Sequence, residues 1–158
     1  MSPDEREVYL HQRARRQEAI ANLGQQALQS QNTDALMATA VKLVASVLGV
    51  KYCAIMELLP NRAAFVLRAG TGWQRDWIGR ITVSAREQSQ EGYTLSTSEP
   101  VVVKDLRLET RFGGTPFLHN QGIISGASVA IAGEEASFGV LSVHSVQHRL
   151  FDEDDLHF

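Results

Sequence analysis

From Asp4 to Ser30 apolar residues are sparse, at Leu10, Ala14, Ile20, Leu23 and Ala27, set among Arg, Glu and Gln. No proline and, after Tyr9, no aromatic interrupts this stretch, so its helix-forming side chains predict one long helix. A stripe this thin, with heavily charged flanks, suits a coiled-coil seam or a linker helix better than a core helix. The next segment, QNTDALMATAVKLVASVLG, carries a broad apolar face made by Leu36, Met37, Ala40, Val41, Val44, Val47 and Leu48. It predicts a second helix that packs on a core, capped at Asn32 or Thr33 and stopped at Gly49 in the left-handed conformation.

After Gly49 the period changes. VKYCAIMELL and AAFVLRAG are strand-like runs separated by PNR, a hairpin signal. IGRITV adds a strand after the loop from Trp73 to Trp77, and SAREQSQEGYTL is a short helix or irregular segment. PVVVKD is a strand in which Pro100 fits only the first position or an edge. RFGGTPFLHNQG holds one short helix ended by Gly122, and SGASVAIA with SFGVLSVHSV makes a second hairpin across GEE. The tail LFDEDDLHF opens a helix, with Asp152 at the N-cap, Asp155 three residues on and Phe151 placed to staple onto Leu156. The chain ends one turn later, as expected of a fragment of a longer protein with a truncated last helix. This order is an α+β plan built on an antiparallel sheet. Helices from both chain ends cover one face, and the segment from Ser84 to Gly122 forms a lid over the other, where a small-molecule cavity is expected.

Composition narrows the classes. The 158 residues suit one domain, and 44% hydrophobic with 21% charged residues is ordinary globular usage. A net charge of −3 with interspersed signs offers no footprint for nucleic acid or for anionic membrane. No signal-like or membrane-spanning run occurs, so a cytoplasmic location is expected. The single cysteine, Cys53, makes neither a disulfide nor a CxxC site and reads as a small buried hydrophobe.

GYTLSTSEPVVVKDLRLETRF, GIISGASVAI and FGVLSVHSVQHRLFDEDDLHF, with AGTGW upstream, resemble a GAF domain of the kind found in bacterial multidomain signalling proteins. Such domains accompany PAS modules, histidine kinases of two-component systems and diguanylate cyclases. The resemblance covers roughly Thr33 to Phe158, leaving residues 1–31 as an N-terminal signalling helix and 32–158 as the GAF domain. It implies a six-stranded antiparallel sheet with terminal helices on one side and a ligand pocket on the other.

Family membership leaves function open, because the specialised subclasses depend on particular residues. In the phytochrome type a Cys or Cys-His pair precedes an aromatic-Leu pair. Aligned on Phe117-Leu118, those places hold Gly113 and Gly114, which counts against a covalent bilin. The cyclic-nucleotide type carries an Asn-Lys pair where this chain has Ser145-Val146; Phe151 and Asp155 match, whereas Leu156 replaces a Glu. Free methionine sulfoxide reductases need several cysteines, so one cysteine argues against that enzyme. Haem would need a histidine directed into the pocket, with His119 and His144 as the candidates.

The expected ligand-binding residues are Trp77, Tyr93, Asp105, Leu106, Arg111, Phe112, Phe117, Leu118, His119 and Ser128. Asp105 either accepts from a ligand or closes an Asx turn near Arg107. Arg111 either clamps a ligand carboxylate, with Phe112 as a wall, or pairs with Glu109 or Asp105. No catalytic constellation, metal site or kinase phospho-acceptor is present, His11 lacking an acidic neighbour. Two roles follow from the resemblance. One is a non-catalytic sensor that binds a small molecule and signals through its terminal helices to an output domain in cis. The other is a ligand-free homodimerisation or spacer module, whose cavity is filled by Phe65, Tyr93, Phe112, Phe117 and Leu118.

Overall fold

The computed structural model describes residues 2–29, 32–86, 88–113, 116–133 and 136–158, together with their side chains apart from those of 26–29, 116, 117 and 157. Helices α1 (Pro3–Gln29) and α2 (Thr33–Leu48) lead into strands β1 (Tyr52–Leu58), β2 (Ala64–Thr71) and β3 (Thr82–Ser84). Then come α3 (Gln90–Thr97), β4 (Val101–Val103), α4 (Pro116–Asn120), β5 (Ser125–Ile131), β6 (Gly139–Ser145) and α5 (Glu153–His157). The six strands form one sheet in the order β3-β2-β1-β6-β5-β4, with every neighbouring pair antiparallel.

The caps follow the local chemistry. Asn32 accepts from the N–H of Ala35 and Gly49 closes α2 at φ 68°, as its position predicts. Asp152 and Asp155 form a reciprocal capping box at α5.

Strand alternation assigns the faces. On β1, Cys53 and Ile55 pack with Ala69, Ala127 and Val143 against Val41, Ala45 and Leu48 of α2 and against Phe151. Tyr52, Ala54 and Met56 face the other way. A strand covered on both sides reads as a continuous apolar run, which is what YCAIM is. Cys53 is fully buried, and burial pushes its thiol up to about 12, so it is an inert hydrophobe.

Helix α1 leaves most of its thin apolar stripe uncovered. Leu10 and Ile20 of the expected stripe are both 53% exposed, and Ala14 is exposed too. The face turned to the body is buried Ala19 with half-buried Tyr9, Arg16 and Leu23. What fixes it is polar: Arg16 donates to Asp155 of α5, which Arg149 also meets at 3.4 Å. A scan for apolar residues does not find a face that is set by an arginine.

Candidate functional site

The lid runs from the end of β3 to the start of β5. Two apolar clusters sit beneath it. One joins Tyr52, Val101 and Val103 to Leu106, Phe112, Leu118 and Ile123, with Tyr93 and Trp73 at its margin. The other joins Ala54, Met56, Phe65, Leu67, Val83 and Val140, with Trp77 and Leu95 packed on it.

Between the clusters the sheet floor is small and polar. Register places Val101, Ser128, Ser142 and Ala54 in one row across β4, β5, β6 and β1. Val103, Gly126, His144 and Tyr52 make the next row. Helix α3 lies over this floor, its first turn held by Ser89, which accepts from the N–H of Gly92. Only glycine fits at 92, because a Cβ there would stand 1.9 Å from the carbonyl oxygen of Arg86.

Donor bookkeeping orders the hydrogen bonds. Gln90 Nε2 donates to Ser128 Oγ at 3.1 Å, Ser128 and Thr94 hydroxyls meet at 2.7 Å, and Thr94 Oγ1 reaches the carbonyl of Gln90 at 2.7 Å. Thr94 has one proton and gives it to that carbonyl, so Ser128 donates to Thr94. The three residues form a satisfied cyclic network that pins α3 to β5.

Two buried atoms, one on α3 and one on β6, lack a partner among the described residues: Glu91 Oε2 and His144 Nδ1. Glu91 is 1% exposed, and burial, opposed by a hydrogen bond from its own backbone N–H, pushes its carboxyl up to about 7. His144 is equally buried, and desolvation pushes it down to about 4, so it is neutral at physiological pH. Its Nε2 lies 3.0 Å from Ser142 Oγ. Placing the ring proton on Nε2 leaves only a lone pair, not an N–H, unpaired at Nδ1. Trp73 stands edge-on to this ring at 5.9 Å and donates its Nε1–H to the carbonyl of Cys53.

The expected ligand residues do not form one group. Tyr93, Leu106, Phe112 and Leu118 share the first apolar cluster, and half-buried Trp77 belongs to the second. Ser128 is part of the polar network. His119 is exposed on α4, and the side chain of Phe117 lies outside the described residues. Asp105 makes the Asx turn, accepting from the N–H of Arg107 at 3.0 Å, and the Arg107 guanidinium holds its carboxyl down at about 2. Arg111 takes the pairing alternative: it binds both oxygens of Glu109 at 2.8 Å and donates to the carbonyl of Val102 at 2.6 Å. It thereby occupies an acceptor on the exposed edge of β4, next to Pro100, which has no N–H to offer.

The GAF domain family model matches residues 32–158. The chain belongs to the GAF domain family. These domains are known as sensory or regulatory modules of signalling proteins. No curated protein matches this chain. Among solved structures, this GAF domain is similar to that of a phosphoenolpyruvate-protein phosphotransferase from Coxiella burnetii, at 16% identity and TM-score 0.78, covering 89% of this chain and 83% of the other. It is also similar to a phycocyanobilin-bound GAF domain of a cyanobacterial phytochrome, at 16% identity and TM-score 0.72, over 89% and 85%. A free methionine-R-sulfoxide reductase from Neisseria meningitidis, solved with its substrate, gives 16% and 0.74 over 89% and 79%. At such identities these likenesses establish the fold.

In this GAF domain, Gln90, Glu91, Thr94 and Ser142 escaped the sequence reading. Ser142 and His144 had a signal, since they alternate with Val143 along a strand. Glu91 had a weaker one, standing four residues before Leu95 on the same side of α3. No described helix is long and apolar enough to cross a membrane, and no described His, Cys, Asp or Glu cluster is arranged to hold a metal.

Proposed function

We propose that this GAF domain is a non-catalytic sensory module of a cytoplasmic signalling protein. A small molecule held between sheet and lid favours one of two lid arrangements, and the terminal helices carry the difference to an output domain in cis. A histidine kinase or diguanylate cyclase is the kind of output the resemblance implies, with a homodimer formed through the same helices. The observation that supports the reading is Glu91 Oε2, a buried polar atom of the lid helix α3 left unpaired among the described residues. An unpaired buried polar atom costs about 1–3 kcal/mol, and a ligand that supplies the missing partner recovers it.

The spacer reading has its own support: Tyr52, Phe65, Phe112 and Leu118 pack under the lid and fill space that a ligand would use. A thermal-shift screen with nucleotides, amino acids and 2-oxo acids, combined with native mass spectrometry, separates the two. Saturable stabilisation by one compound class supports sensing. A flat response from a tight dimer supports the spacer.

A further inference from the structure

We infer that Glu91 anchors the lid-side site and that the molecule it holds carries an ammonium or amidinium group, whose N–H atoms are the donors Oε2 lacks. The inference rests on the sensory reading and names its ligand chemistry.

Three observations carry it. Glu91 is 1% exposed and no described cation pairs with it, although buried carboxylates are ordinarily paired. Its described polar neighbours are already committed. Thr94 and Ser128 have each given their single hydroxyl proton within the cycle, and Gln90 Nε2 holds one of its two protons on Ser128 with no bond to Oε2. Among the described residues no competing cation stands on the strands packed against α3: β5 carries no titratable residue and β6 carries only His144, which is neutral, while Tyr93 is the other titratable group of α3 itself. Arg86, on the segment leading to α3, is exposed, and Arg111 is bound to Glu109 and Val102. An anionic ligand meets repulsion here. A neutral donor gains a bond assisted by the carboxylate charge alone, and a cation adds charge–charge attraction to that bond in a dry setting.

The pH dependence follows. A cation binds the ionised carboxylate, so below the value of about 7 proton and ligand compete for one oxygen pair. Affinity falls about tenfold between pH 8 and pH 6.

The test uses two isosteric series at millimolar concentration: butylamine, butanol and butyrate, and benzamidine, benzamide and benzoate. Thermal shifts are read for the wild type and Glu91→Gln at pH 6 and pH 8. The inference expects stabilisation by the two cations alone, weaker at pH 6 and lost in Glu91→Gln. The Glu91 carboxyl, followed by 13C NMR in the wild type and assigned by its absence from the variant, titrates near neutrality and moves to lower pH in saturating benzamidine. Stabilisation by a neutral or anionic member that survives in Glu91→Gln overturns the inference while leaving the sensory reading intact. No response to either cation, with an unmoved Glu91 titration, overturns it as well. The sensory reading fails separately, when the wider screen of nucleotides, amino acids and 2-oxo acids is also flat.

Discussion

The imidazole of His144 abuts the α-carbon of Gly126 on the neighbouring strand: a Cβ at 126 would stand 2.9 Å from Nδ1 and 2.7 Å from the carbonyl oxygen of Val143. Because one obstacle is backbone, it cannot swing away. Gly126→Ala therefore displaces either β5 or the ring, at about 1–3 kcal/mol, measurable as a lower urea midpoint with an unchanged slope.

The two buried titrating groups under the lid pull stability in opposite directions with pH. Glu91 is raised from 4.5 to about 7, so its contribution is fully present below 4.5 and lost as pH rises through 7. His144 is lowered from 6.5 to about 4, so its contribution is present above 6.5 and lost as pH falls through 4. Between 4.5 and 6.5 they offset each other. Glu91→Gln is expected to raise stability at pH 8 by up to about 3 kcal/mol and to expose the uncompensated histidine loss in acid. Denaturation curves from pH 4 to pH 8 for both proteins check this. Parallel profiles would place Glu91 in a solvated setting.

Arg111 braces the lid loop against β4. Arg111→Ala removes its bonds to Glu109 and to the Val102 carbonyl, and its cover over the rings of Tyr93 and Phe112. Being partly exposed, the ion pair counts for little, so the expected loss is only about 1 kcal/mol. Hydrogen exchange should nevertheless quicken between residues 101 and 112 more than in β1 or β6. A uniform change across the sheet would contradict this bracing role.

Cys53 offers a probe of global opening. With its thiol at about 12 and fully enclosed between β1 and α2, it should react with iodoacetamide only at the rate of whole-domain unfolding. Labelling that outpaces unfolding would reveal a local opening of the helix-covered face.

Much of this architecture was legible in the sequence, for reasons that can be assigned. Gly49, Asp152 and Pro100 act through their own backbone or side-chain geometry, so their roles survive any packing. The Val101–Val103 run reads as an edge strand for the same reason. What stayed hidden depends on partners distant in the chain. The face α1 presents is decided by Arg16 meeting Asp155, 139 residues away. Glu91, Gln90 and Thr94 are polar residues in a buried place, and periodicity treats polar residues as solvent-facing. Asp105 and Arg111 matched the expected residue types, yet both are saturated by neighbours two residues away. The site's chemistry therefore resides in residues that hydrophobic patterning is built to overlook.

The first and last strands of the chain, β1 and β6, lie side by side at the middle of the sheet. Helix α2 leads into one and α5 follows the other, so the helices flanking the sheet are anchored on one adjacent pair of central strands. The lid hangs from the periphery, between β3 and β5. Its loops can be lengthened or recomposed while that central pair keeps its alignment, so the lid can diverge without disturbing how the flanking helices are seated.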